Sequence, residues 1–132
     1  MTLLTPAQAT LVTLMAALPR GPRRDGAFAL WLTVRVAEDL LLVPPIPERA
    51  TRRRVAGVEK RLSSLALPGP LRRALAGALA ELENETRGSG AARATMVLQQ
   101  LVAPAREVFG AETGEAIARA SRSAAAAGGR SD

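Results

Sequence analysis

AFALWLTVRVAEDLLLV, residues 27–43, is apolar on nearly every side when wound as a helix. Among its polar members, Trp31, Arg35, Glu38 and Asp39 are spaced at three and four residues and so share one stripe. A helix that is apolar round most of its circumference must be central, with neighbours covering several sides. The spacing predicts an all-α fold: a compact bundle of four to five amphipathic helices around a central hydrophobic helix over about 26–43, plus an Ala-rich C-terminal segment. Leu30, Leu32, Val34, Val36, Leu40 and Leu41 are its expected buried residues. Arg35 is expected to pair with Glu38 and Asp39 one turn on, with Trp31 lying over its stem.

Composition supports the same fold class. The hydrophobic fraction is an ordinary 48%, but the aromatic fraction is 2%, with Phe28, Trp31 and Phe109 the only rings. The core is therefore aliphatic, built from Leu, Val and Ala, and Ala and Leu are the best helix formers. Alternating runs rich in Val, Ile and Tyr, the mark of strands, are absent. A length of 132 residues fits a single domain, expected over 1–127, with 128–132 as a disordered tail.

On the N-terminal side, Thr5-Pro6-Ala7-Gln8 is a helix start: Thr5 caps, Pro6 fits the first helical position, and Gln8 sits at the reciprocal capping-box position. Ala7, Leu11, Leu14 and Leu18 then recur on one face, and no charge precedes Arg20. A signal peptide is the sharper reading of such a stretch. It lacks a basic leading region, and Pro6 stands in that place, so a buried or interface helix is expected. Pro19 to Arg24 breaks the chain, and Asp25 is the expected cap of the central helix.

On the C-terminal side, Pro44-Pro45-Ile46-Pro47 closes the central helix and opens the next. Thr51, Val55, Val58, Leu62 and Leu65 form a heptad-like seam, with Arg49, Arg53 and Lys60 projecting nearly opposite it. Arg54 and Arg61 flank the seam on one side, Arg52 and Glu59 on the other. After Pro68-Gly69-Pro70, a fourth helix runs through Leu71, Leu75, Leu79 and Leu82. Its charges oppose the helix dipole, and pairing of its terminal acids with the basic third helix is one account of them. Arg87 to Gly90 is a turn, with Ser89 or Gly90 as the next cap. A fifth helix carries Ala94, Leu98, Leu101, Ala105 and Val108, and Pro104 is expected to kink or split it near residues 100–103. Gly110 ends it. From Thr113 to Ala127, Ile117 is the one large aliphatic residue, and docking of so poor a segment is left open.

These residues exclude much chemistry. The chain has no Cys and no His, which removes disulfides, Cys nucleophiles, imidazole bases and nearly all zinc, copper and haem ligation. No catalytic, cofactor-binding or metal-ligating residues are assigned, and no cofactor is expected. Glu38 and Asp39 diverge by about 100° round a helix and cannot form an opposed acid/base pair. An Arg-lined pocket catalysing a rearrangement by electrostatics is the remaining enzymatic reading, and the least favoured. The 27–43 stretch is too short and too charged to span a membrane.

The net charge of +6 is uneven. Residues 20–73 hold twelve basic and five acidic groups, and residues 74–132 hold six and seven. A basic half suits nucleic acid, an anionic membrane surface or an acidic protein, though a solvated surface gives the same pattern. The candidate anion- or partner-binding face is Arg49, Arg53 and Lys60, with Arg20, Arg23 and Arg24 in the preceding joint. Single-strand readers want aromatic platforms, which are scarce here.

The leading expectation is a non-enzymatic interaction or assembly subunit, self-associating or bound to a protein partner. It rests on two helices too apolar to be covered within one small bundle. The alternative is a basic helical protein that binds RNA or DNA phosphates without sequence specificity. The expected location is the cytoplasm, with which a cysteine-free chain is compatible.

Overall fold

The computed structural model describes residues 4–42, 45–84 and 89–130. Among them the chain is all-helical, with six helices and no strand. They are α1 (Pro6–Ala17), α2 (Pro22–Asp39), α3 (Glu48–Leu62), α4 (Gly69–Leu82), α5 (Gly90–Phe109) and α6 (Ala111–Arg130). None is long and apolar enough to cross a membrane.

Helix α1 starts as its sequence dictates. Thr5 is the N-cap, and its hydroxyl accepts from the Gln8 backbone N–H at 3.3 Å. The Gln8 side chain does not close the capping box. It reaches α2 instead, where Nε2 donates to Glu38 Oε1 at 3.0 Å beside Thr5 Oγ1 at 2.5 Å. Glu38 thus ties the start of α1 to the end of α2.

The central helix is displaced from its expected bounds of 26–43. It begins at Pro22 because Gly21, at φ 151°, turns the chain sharply and Pro22 is preset for the first helical position. Asp25 therefore lies in the first turn and is not the cap. The helix ends at Asp39, and Leu40 to Leu42 continue as turns and coil. Leu30, Val34 and Val36 are buried, whereas Leu32, Leu40 and Leu41 are half-buried. Gly26 allows α2 to lie close on α4: a Cβ there would stand 2.7 Å from Leu71 Cδ1.

The seam of α3 is buried at Thr51, Val55 and Val58, and the leucines of α4 at Leu71, Leu75, Leu79 and Leu82. The acids ending α4 do not find the expected basic counterpart at every position. Glu83 instead faces Glu59 of α3 closely enough to share a proton, which pushes the Glu59 carboxyl above its ordinary range. Glu85 and the Arg87–Gly88 half of the following turn lie outside the described residues, as do Val43 and Pro44 of the earlier proline joint. Ser89 caps α5 by accepting from Ala92 N–H at 3.1 Å.

Pro104 does not split α5, which runs unbroken from Gly90 to Phe109. Gln100, whose carbonyl loses its partner there, is on the exposed side, where water can serve it. Leu101, Val102 and Ala105 hold the other side in the core. The alanine-rich α6 docks against α5 and α1, burying Ile117, Ala120 and Ala124. Small residues make this possible, because contact comes from close approach and not from long side chains. Gly114 abuts Arg106, and the Ser121 hydroxyl donates to Thr95 C=O at 3.2 Å. The helix also runs past Gly128, where a disordered tail was expected, to Arg130; Ser131 and Asp132 lie outside the described residues.

Candidate functional site

Arg24, Phe28, Trp31 and Arg35 follow one another along α2 at steps of four, three and four residues, which places them on one face. That face meets α3, and between them runs an open groove of about 450 Å³. Trp31, Leu32, Arg35, Val36 and Asp39 line it from α2, and Arg54, Gly57, Val58 and Arg61 from α3.

The expected pairing of Arg35 with Glu38 and Asp39 is not formed among the described residues. Glu38 is taken by Thr5 and Gln8, and Asp39 by Arg54 across the groove. The Arg35 guanidinium lies over the Trp31 ring, 5.5 Å from its centroid, as the spacing predicts. A second cation from the other helix repeats the arrangement, with Arg61 5.8 Å from the Phe28 centroid. The two rings lie 6.1 Å apart, tilted by 30°. Three arginines and a single acid therefore line the groove, and α2 and α3 each supply part of the charge. Gly57 leaves one wall bare: nothing lies within 4 Å of where its Cβ would be. The Trp31 indole Nε1 is buried and has no hydrogen-bond partner among the described residues.

The basic surface continues past Phe28 into a second concavity between α1 and α2. It is lined by Val12, Met15, Ala16, Gly21 and Phe28, with Arg20, Arg24 and Asp25 around it. Arg23 is directed elsewhere. Its guanidinium donates to Val108 C=O at 3.2 Å and lies over Phe109, so it pins the start of α2 to the end of α5.

Arg49, Arg53 and Lys60 are exposed on α3, outside the buried seam. Of the six candidate residues, the structure brings Arg20 and Arg24 to the groove's extension. Arg35, Arg54, Arg61 and Trp31, which sequence reasoning left out of the face, form the concave part, and Phe28 under Arg61 leads from it into the second concavity. The available signal was the α2 stripe itself, continued upstream to Arg24 and matched with the flanking cations of α3.

A buried cation on α5 holds the start of α3 in place. The Arg93 side chain, 4% exposed, donates to both Glu48 oxygens at 2.8 and 3.0 Å, and to Leu82 C=O at 3.2 Å and Asn84 C=O at 3.3 Å. It anchors the first residue of α3 to α5 while satisfying carbonyls at the end of α4. Among the described residues no group of three or more His, Cys, Asp or Glu side chains is placed to hold a metal ion. No protein-family model, no curated protein and no solved structure matches this chain.

Proposed function

We propose that the protein is a non-enzymatic helical module that binds the phosphate backbone of nucleic acid through the face shared by α2 and α3. One observation carries this reading: Arg35, Arg54 and Arg61 converge on a groove that also holds Trp31, with Arg20 and Arg24 extending the same face. Phosphates require cations, and cations at several points along a groove add the release of several counterions. Acid/base or nucleophilic chemistry would need an opposed pair of groups. The groove's single acid, Asp39, is already engaged by Arg54.

The test compares two triple variants by titration with a short nucleic acid at low salt. Arg35→Gln/Arg54→Gln/Arg61→Gln should reduce affinity at least tenfold. Arg49→Gln/Arg53→Gln/Lys60→Gln, on the outer face of α3, should reduce it only a few-fold. Equal losses would show that the groove has no special part.

Self-association is the second reading, and a separate observation favours it. Leu4 and Leu42, 47% and 51% exposed, lie one residue before Thr5 and four after Glu38, the residues that join α1 to α2. A dimer would cover them. Light scattering on the purified chain tests it: a dimer mass that Leu42→Glu converts to a monomer mass supports assembly there.

A further inference from the structure

We infer that the α2–α3 groove takes an unstacked base between neighbouring phosphates, so that the protein selects single-stranded nucleic acid over duplex. This rests on the reading of the groove as a phosphate-binding face. Three features separate it from a plain basic patch.

The first is the order of groups along α2. Arg24 and Arg35 are eleven residues apart, about 16 Å along a helix. Between them lie Phe28 and Trp31, and each ring carries a guanidinium, from Arg61 and Arg35 respectively. Cations at both ends with planar groups between them match a strand whose phosphates are outside and whose bases face the protein. A base stacks equally on an aromatic face or on the outer plane of a guanidinium already lying over one.

The second feature is shape. The groove is concave, and its volume of about 450 Å³ is in the range of small-ligand sites. A duplex offers convex rows of phosphates and hides its base faces in the stack. It can touch the rim arginines but cannot fill the space beside Trp31. The third is Gly57: as a glycine it contributes no side chain to the α3 wall, and the space before it is open.

Trp31 is the chain's single tryptophan, so its fluorescence reports this groove alone. The full-length protein is titrated at one salt concentration with oligothymidylate, with a hairpin duplex carrying the same number of phosphates, and with inorganic polyphosphate of equal charge. Oligothymidylate should quench Trp31 and bind about tenfold more tightly than the other two, the size of one base stack. Polyphosphate should bind without quenching. Gly57→Leu fills open space with a good helix former, so the fold should survive while the tenfold preference disappears. Arg35→Met, at an exposed position, should weaken the quench and narrow the preference. Duplex binding as tight as single strand, polyphosphate matching oligothymidylate, or an unchanged preference in Gly57→Leu would each overturn the inference and leave the phosphate-binding reading standing. No binding of any nucleic acid at low salt would overturn both.

Discussion

Among the described residues Arg93 is the charged one that is buried. Its guanidinium satisfies Glu48 and two backbone carbonyls at once. Arg93→Met removes these bonds and leaves Leu82 C=O without its donor, so it should cost roughly 2–4 kcal/mol in urea unfolding. Glu48→Gln should cost only about 1 kcal/mol, since Glu48 is partly exposed and an amide oxygen still accepts one bond. Equal losses from the two changes would mean that the ion pair, and not the carbonyl contacts, holds this corner. Glu59 behaves in the opposite sense. Its pKa is raised by the carboxyl of Glu83, so the shared proton stabilises the fold below the ordinary carboxylate range, and that contribution is lost as pH rises through the raised value. Glu59→Gln should therefore be more stable than the parent at neutral pH, by well under 1 kcal/mol at this exposed position. The gain should shrink as pH falls through the raised value, which paired melting curves at pH 4 and 7 would show.

Among the elements, α2 and α5 are set by small backbone details. Gly26→Ala should destabilise by about 1–3 kcal/mol despite the better helix propensity of alanine, because the new methyl meets buried Leu71 and half-buried Pro68. A rise in melting temperature would show that α2 and α4 can separate freely. In α5, Pro104 lies mid-helix without ending it. Pro104→Ala restores a donor toward the Gln100 carbonyl and should stabilise by about 1–3 kcal/mol, with helical circular dichroism unchanged or slightly higher. Helix α6 shows how little bulk a docked helix needs. Ile117, Ala120 and Ala124 are buried, and Glu115 meets Arg119 at 3.4 Å and Arg122 at 2.9 Å on its outer side. Those guanidinium groups, Arg122 first, hold the Glu115 carboxyl below its usual range.

For the molecule as a whole, most of the basic half of the chain folds into α2 and α3, whose shared groove collects arginines from both. If each of Arg35, Arg54 and Arg61 neutralises one phosphate, the triple Gln variant should flatten the log–log salt dependence of single-strand binding by roughly 2, at ~0.7 per contact. A parallel shift with the slope kept would place the phosphates elsewhere. The outer face of α3 should change the slope much less, because Arg49, Arg53 and Lys60 do not share the groove's concavity.

Much of this architecture is legible in the amino-acid sequence, for one reason. Helical periodicity and capping are local, so Thr5 as a cap, Ser89 as one of two candidate caps, the leucines of α4 and the seam of α3 follow from residues within a few positions of one another. Glycine and proline are less decisive when several lie together, and Gly21-Pro22 opening α2 a turn before Asp25 is that case. The site was not local. Asp39 is adjacent in sequence to Glu38 and one turn from Arg35, yet its partner is Arg54, fifteen residues on in another helix. Glu38 is likewise claimed by α1. With both acids engaged by other helices, Arg35 lies over Trp31 and faces the groove, and the third arginine comes from α3. Amphipathic spacing determines which face of each helix is buried. Only the packing of α1, α2 and α3 decides which charges are neutralised and which are left together in one groove, because pairing depends on distances that the linear spacing of residues does not contain.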